Sequence, residues 1–411
     1  VVKVYADRIK TSIDIGTTKI CVIIAQQLDV DRIEVLGVGK APSHGLKKGV
    51  VVDVAKTIYS IKRAVQEAEL MAGIKVESAY IGISGAHIHS LNSQGVVPIK
   101  HGDIRASDIA SVLDAAQAIP IPEGQQILHV LPQYYIIDGR EKVQDPFGMH
   151  GIRLEVEAHI ILGAVSSVQN LIKCCEAADV KVADVILEQL ASADAVLSDD
   201  ECELGVGVLD IGGGTADLAL YQHGSIRHTM VLPVAGNHFT NDVAIGLRTT
   251  LDDAERIKRE YGVASMKLLA NDEPIEVEMV QGGAKAIVLQ SELVNIIEPR
   301  TRELLSLVHD EIIKRKLLSY IPSGMVLTGG GSLLKGIKEV AEEIFHMPVR
   351  IGMPRVEFDL PESLRNPIYA TGYGLLKHAL KKEQHAGVHA VGGPLLQRLA
   401  ERMKSWVADF F

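Results

Sequence analysis

The chain is poor in aromatic residues, which make up 4% of its 411 positions and include a single Trp. Stacked rings cannot build the core, so Val, Ile, Leu and Ala must fill it, a composition that suits parallel strands covered by helices. Cysteine is scarce too: Cys21, Cys174, Cys175 and Cys202 fall in no CxxC or Cys/His spacing, which argues against a zinc site. Buried, reduced thiols are expected, as in a cytoplasm. His87 and His89 form an H-x-H without a nearby third ligand to complete a metal site. Excess positive charge is lacking, the formal net charge being -10. A general nucleic-acid binder needs clustered Lys and Arg, so no nucleic-acid partner is expected. No apolar run reaches the roughly 20 residues of a membrane-spanning helix, and the amino end has no signal-peptide pattern. The first residue is Val1 rather than Met, which places the expected native start upstream. The length predicts two or three domains.

What is present is a set of glycine turns. Residues 205–220 read GVGVLDIGGGTADLAL, a strand ending in Asp210, then Gly212, Gly213, Gly214 and Thr215. Glycines without Cβ let backbone N–H groups approach an anion, and an acid at the mouth of such a turn is placed to hold hydrated Mg²⁺. Alone, this stretch also reads as a glycine-rich hairpin between buried strands. Residues 12–25, SIDIGTTKICVIIA, repeat the chemistry with Asp14, Gly16, Thr17, Thr18 and Lys19. A third strand runs into Gly329, Gly330 and Gly331 in MVLTGGGSLLKG, where a flat base or sugar can lie on glycine backbone. Two similar halves facing one nucleotide are the simplest arrangement. The order DIGTT, DIGGGTAD, TGGG resembles the actin, sugar kinase and heat-shock chaperone ATPase superfamily, in which two RNase H-like domains close over a nucleotide.

Along the chain, strands are predicted over 33–38, 76–84, 159–164, 182–187 and 349–351, and helices over 53–72, 107–119, 166–178, 252–262, 291–314 and 332–345. Pro299 implies a kink or two abutting helices within 291–314. Residues 86–158 change character, with mixed strands and the polar loop DGREKVQDPFGMHGIRLE, and read as an inserted domain. In EQLASADAVL, Glu188 falls where superfamily relatives carry a residue that orients the attacking water; the alternative is a first-turn helix acid favoured by the dipole. PVAGNHFTNDVAIGL, with Gly236, leads into DDAERIKREYG, which resembles the adenosine-facing helix of the chaperone ATPases. By that resemblance Glu255, Lys258 and Arg259 approach ribose and adenine; the alternative is a solvated face with Glu255 paired to Arg259.

HAGVHAVGGP at 385–394 reads as a flexible linker of about 20 Å reach. Beyond it, Leu395, Leu396, Leu399, Met403, Trp406, Val407, Phe410 and Phe411 share one face of a helical pattern. This face needs a partner: the chain's own core, another protein, or the reading favoured here, a membrane surface. At roughly 25 Å the helix is too short to span a bilayer comfortably. One such anchor binds reversibly, and an array of them more firmly.

With the tail included, the chain resembles the FtsA family, the actin-like cell-division proteins that tether FtsZ to the inner membrane. The resemblance rests on the three turns, the insertion with DPFGMHGIRLE, ERIKRE, IIEPRTREL and the amphipathic tail. It implies an α/β actin-like fold of two RNase H-like domains around a nucleotide cleft, with an inserted subdomain 1C and a C-terminal amphipathic helix. Residues 1–85 and 159–204 become subdomain 1A, 86–158 subdomain 1C, 205–235 and 301–365 subdomain 2A, and 236–300 subdomain 2B. Residues 366–384 become a crossing helix returning to 1A, 385–394 the linker and 395–411 the membrane-targeting helix. The implied cofactors are ATP and Mg²⁺, with Asp14 and Asp210 as metal holders and Asp210 and Glu188 as catalytic residues. By the resemblance Gly16, Thr17, Thr18, Gly212, Gly213, Gly214 and Thr215 cradle phosphates and Lys19 offsets their charge. Implied partners are the FtsZ C-terminal peptide at Arg300 and Arg302, which equally suit helix salt bridges, other copies in a filament, an anionic membrane surface, and later division proteins at subdomain 1C. The implied place is the cytoplasmic face of the inner membrane, peripheral, at the division site, with at most slow ATP hydrolysis. Alternatives are a pilus-assembly actin homologue, which lacks such a tail, and a small-molecule kinase of the superfamily, for which no second substrate pocket is apparent.

Overall fold

The computed structural model describes residues 8–28, 33–280, 285–355 and 361–389. The first half opens with β1 (Ile9–Ile15), β2 (Lys19–Gln27) and β3 (Ile33–Pro42), an antiparallel run whose middle strand is buried almost throughout. A small hairpin follows, β4 (Leu46–Lys47) and β5 (Val50–Val51). Helix α1 (Val54–Ala72) starts on Asp53, whose side chain accepts the Lys56 N–H, and stops on left-handed Gly73. β6 (Ser78–Ile83) then lies parallel to β1.

The insertion comprises β7 (His89–Pro98), α2 (Ala106–Ala116), β8 (Gln125–Ile137), β9 (Lys142–Val143) and β10 (Arg153–Ala164). Its sheet has the order β7-β10-β8-β9. The predicted strand 159–164, assigned to the main sheet, is instead the end of β10, so the boundary placed at 158 cuts a continuous strand. Local pattern could not show this, because Ile160, Ile161 and Leu162 are buried apolar residues in either sheet. The main pattern resumes with α3 (Val165–Glu176), β11 (Lys181–Leu187), α4 (Glu188–Val196) and α5 (Asp199–Leu204).

The second half repeats the plan with β12 (Val206–Ile211), β13 (Ala216–Gln222) and β14 (Ser225–Leu232), then α6 (Gly236–Leu247), α7 (Leu251–Tyr261), β15 (Pro274–Glu278) and β16 (Lys285–Leu289). It continues with α8 (Gln290–Lys314), β17 (Met325–Thr328), α9 (Ile337–Phe345), β18 (Val349–Ile351) and α10 (Ala370–His389). The two main sheets run β3-β2-β1-β6-β11 and β14-β13-β12-β17-β18, each an antiparallel triplet followed by two parallel strands. The same strand order in both is the internal duplication expected from the repeated turns.

Some details differ from expectation. α8 passes through Pro299 as one helix. Residues 330–333 form a 3₁₀ turn rather than the start of a helix, and α9 begins only after left-handed Gly336. α10 continues to His389, so residues 385–389 are helical rather than linker; a lone Gly387 weakens a helix without ending it. The tail face Leu395, Leu396, Leu399, Met403, Trp406, Val407, Phe410 and Phe411 lies outside the described residues.

α4 and α10 cross between the halves at close range. A Cβ on Gly374 would lie 1.7 Å from the Ala191 carbonyl oxygen, so only glycine permits this approach. The inserted sheet also reaches the second half. Buried His159 on β10 hydrogen-bonds Asn92 Oδ1 at 2.7 Å and Thr229 Oγ1 on β14 at 2.9 Å. Ser90 Oγ donates to the Thr229 carbonyl at 3.0 Å. Burial first, then nearby His228, pushes His159 down to about 3, so this link is neutral.

Candidate functional site

The three glycine turns meet where the halves face each other. A Cβ on Gly213 would lie 2.4 Å from Thr18 Cγ2, and one on Gly214 2.3 Å from Thr17 Oγ1, so the glycines of the second turn pack on the threonines of the first. Gly212 N–H donates to Thr215 O at 2.9 Å, tightening the turn at the base of β13. The N–H groups of Gly236 and Asn237 donate to Gly212 O and Gly213 O at 3.0 and 2.8 Å, which docks the start of α6 on the same turn. Gly329, with φ 77°, stands so close that a Cβ would be 2.1 Å from Asp210 Oδ1, and Gly331 packs on Ile211. Gly16 is similarly confined, a Cβ there falling 2.9 Å from Lys19 O, whereas Gly330 has room.

Around this point lies a set of buried acids. Asp210 faces Asp217 across the β12–β13 pair, so both carboxyls project from the same side of the sheet. Asp210 accepts hydrogen bonds from Ser192 on α4 and, at 3.0 Å, from Thr371 on α10, which ties both crossing helices to one carboxyl. Asp217 accepts from Ser84 at the end of β6. Burial raises Asp14 to about 6, opposed by Lys19 and assisted by Asp210. Burial likewise raises Asp217 to about 7, and also raises Asp210, opposed by its hydrogen bonds from Ser192 and Thr371 and then by Lys19. Glu188, lying over Gly82 at the start of α4, is pushed well above the usual carboxylate range by burial and then by Asp14, Asp217 and Asp210. Four buried acids, three of them raised further by a neighbouring carboxylate, make an environment in which a cation would be favoured.

Other predicted residues are placed less directly. Lys19 donates to the Ile368 carbonyl at 2.5 Å and stands 3.9 Å from Asp14, with Tyr369 below its ammonium. Glu255 and Lys258 pair with each other at 2.5 Å rather than through Arg259, and Lys258 also donates to Thr240 Oγ1 at 2.9 Å and Gly236 O at 3.2 Å. They therefore form one wall beside Gly236, and Arg259 is exposed. Arg300 holds Asp242 through two nitrogens at 2.6 and 3.1 Å and also Glu303, while Arg302 holds Glu298 at 3.0 Å and Glu343 at 3.3 Å. These are the helix salt bridges that the sequence allowed.

Sequence reasoning missed Asp217, Ser84, Ser192 and Thr371. A signal existed for Asp217, a carboxyl inside the otherwise apolar strand ADLAL. The three hydroxyl residues carried none, because serine and threonine are common in helices and strand ends.

Residues 207–374 match the family described as Cell division protein FtsA, and residues 85–162 match the SHS2 domain inserted in FtsA. The Cell division protein FtsA of Pseudomonas aeruginosa is 45% identical, with 99% of each chain covered. The chain belongs to the FtsA family. Its counterpart from Escherichia coli is 35% identical over 99% of this chain and 97% of its own. Among solved structures, the PilM–PilN type IV pilus biogenesis complex aligns with a TM-score of 0.66 at 17% identity, covering 90% of this chain and 98% of that one. MreB 5 of Spiroplasma citri bound to AMPPNP gives 0.58 at 16% identity, over 93% and 100%. These identities show the fold alone, and the fold is actin-like. The FtsA match fixes the role as cell division and removes the pilus and kinase alternatives, the pilus likeness being one of architecture. The SHS2 match ends at 162, inside β10.

Proposed function

We propose that this cell-division protein binds ATP with Mg²⁺ between its two halves, polymerises, and holds FtsZ filaments at the cytoplasmic face of the inner membrane through residues 395–411. The observation that carries the nucleotide part is the convergence of three glycine turns on Asp14, Asp210, Asp217 and Glu188. Gly16, Thr17, Thr18, Gly212, Gly213, Gly214 and Thr215 cradle phosphates, Gly329 to Gly331 and the Glu255–Lys258 wall take the nucleoside, and Arg259 edges it. Among the described residues no three metal-ligating side chains stand close enough to share an ion. That fits Mg²⁺, which keeps most of its waters; Asp14 and Asp210 would hold them, and the ion would neutralise phosphate charge. Glu188, at the start of α4 beside these acids, would orient the attacking water, with hydrolysis at most slow.

The acidic C-terminal peptide of FtsZ docks at Arg300 and Arg302 by exchange of carboxylates. Glu303 and Glu343, about half exposed at 51% and 48%, are the partners a peptide displaces, while the more buried Asp242 and Glu298 keep the guanidinium groups in place. Subdomain 1C faces later division proteins and neighbouring copies. The nucleotide part is tested by calorimetric titration of ATP at low Mg²⁺. Asp210→Ala is expected to weaken binding at least about tenfold, the value of a charge-assisted contact, and unchanged affinity would remove Asp210 from the site.

A further inference from the structure

The β4–β5 hairpin has no part in the site as described so far. It pairs Leu46 with Val51 and Lys47 with Val50, leaving Lys48 and Gly49 as the two turn residues. Both are left-handed, with φ of 51° and 76°. Such two-residue turns favour Asn-Gly, whereas a lysine there is opposed by its own Cβ, so local backbone chemistry gives no reason for Lys48. The tip is fixed between the two phosphate-type turns. Gly49 N–H donates to Thr17 Oγ1 at 3.2 Å. A Cβ on Gly49 would lie 2.6 Å from the Ser84 carbonyl oxygen, and one on Gly214 would lie 3.0 Å from Lys48 Cα. A piece of the first half therefore rests on the glycine turn of the second.

The charge it carries there is unspent. Lys48 is exposed and makes no hydrogen bond or ion pair among the described residues. Lys19, the cation assigned by sequence to the phosphates, is already engaged with Ile368 and Asp14. Lys48 is felt across the cleft: His238, in the first turn of α6, is held below its usual range by burial, then by the Lys48 charge, then by Arg300.

We propose that Lys48 is the residue by which the site distinguishes a nucleoside triphosphate from a diphosphate, its ammonium pairing with the outermost phosphate between the Thr17 and Gly214 turns. The proposal rests on the nucleotide reading above. An unpaired ammonium is a point charge that binds phosphate without demanding one geometry, which suits the tip of a short hairpin. Because the tip contacts both halves, that phosphate also favours their closed arrangement.

The test is calorimetric titration of the full chain with ATP and with ADP in excess Mg²⁺, comparing the parent with Lys48→Asn, Lys48→Gly and Lys48→Arg. Asn and Gly suit the left-handed turn and remove the charge, and Arg keeps it. The Asn and Gly chains are expected to lose about tenfold in ATP affinity while ADP affinity stays within about twofold, and the Arg chain to stay near the parent. Equal weakening of both nucleotides, or no change in either, overturns the role of Lys48 and leaves the nucleotide reading standing. A parent chain that takes up neither nucleotide overturns that reading and Lys48 with it.

Discussion

Asp217 shows how one side chain can carry the condition of a whole site. It is 2% exposed, hydrogen-bonded by Ser84, and shares its surroundings with three other acids. Asp14 and Asp217 keep their protons in the folded chain at pH values where the unfolded chain has lost them. Their contribution to stability is full below the unfolded value of 3.8 and is lost as pH rises through about 6 and about 7. Without nucleotide and divalent cation, Asp217→Asn is therefore expected to melt about 2–4 °C above the parent at pH 8, with a smaller difference at pH 5 that closes only as pH falls to 3.8. Asn can still accept from Ser84, so the difference isolates charge; melting curves offset equally at both pH values would show that Asp217 ionises freely. The glycines and acids of the turns were legible because each is unusual where it stands. Lys48 was not, since nothing in GLKKGV distinguishes a cation at a cleft from one in solvent until the hairpin is folded against Gly214.

At the level of elements, the crossing of α4 and α10 decides how the halves are joined. Ala191 and Gly374 set the distance, Ser192 adjoins the contact, and Thr371 lies one turn away; the last two share Asp210. Gly374→Ala is expected to cost about 1–3 kcal/mol in urea unfolding, the usual cost of overpacking, and to weaken ATP binding because Ser192 and Thr371 move together. An unchanged midpoint would mean that the helices have room to part. The small residues of YATGYG suit close packing but do not name its partner, because the sequence shows a helix's faces and not which of them meets Ala191. For the same reason strand existence was legible and the membership of 159–164 was not. A buried run such as HIILGA reads alike at the end of an inserted sheet or in the main one.

For the whole molecule, the duplicated strand order and the family match leave the anchoring and the FtsZ contact as the functions to measure. Co-sedimentation with acidic lipid vesicles should pellet the full chain, more with ATP than with ADP, and leave a chain ending at Lys382 in solution. In the same assay an Arg300→Ala, Arg302→Ala chain should still pellet but no longer carry an FtsZ C-terminal peptide down with it. Equal pelleting of the truncated chain would assign the tail face to a core or protein partner, and retained peptide would move the FtsZ site off α8. The inserted sheet tied to β14 through His159 and Thr229 was beyond sequence reasoning, since its partners lie far apart along the chain and are individually ordinary.

The 20 residues of α10 begin beside the buried acids, where Thr371 holds Asp210, and end at His389. At 1.5 Å per residue the helix is a rod of about 30 Å. A tilt of about 10° at its root would swing its far end by roughly 5 Å, simple geometry on that length. With the membrane anchor proposed above, the helix would act as a lever arm: a hydrogen bond made or broken at one buried carboxyl would become a displacement at its far end.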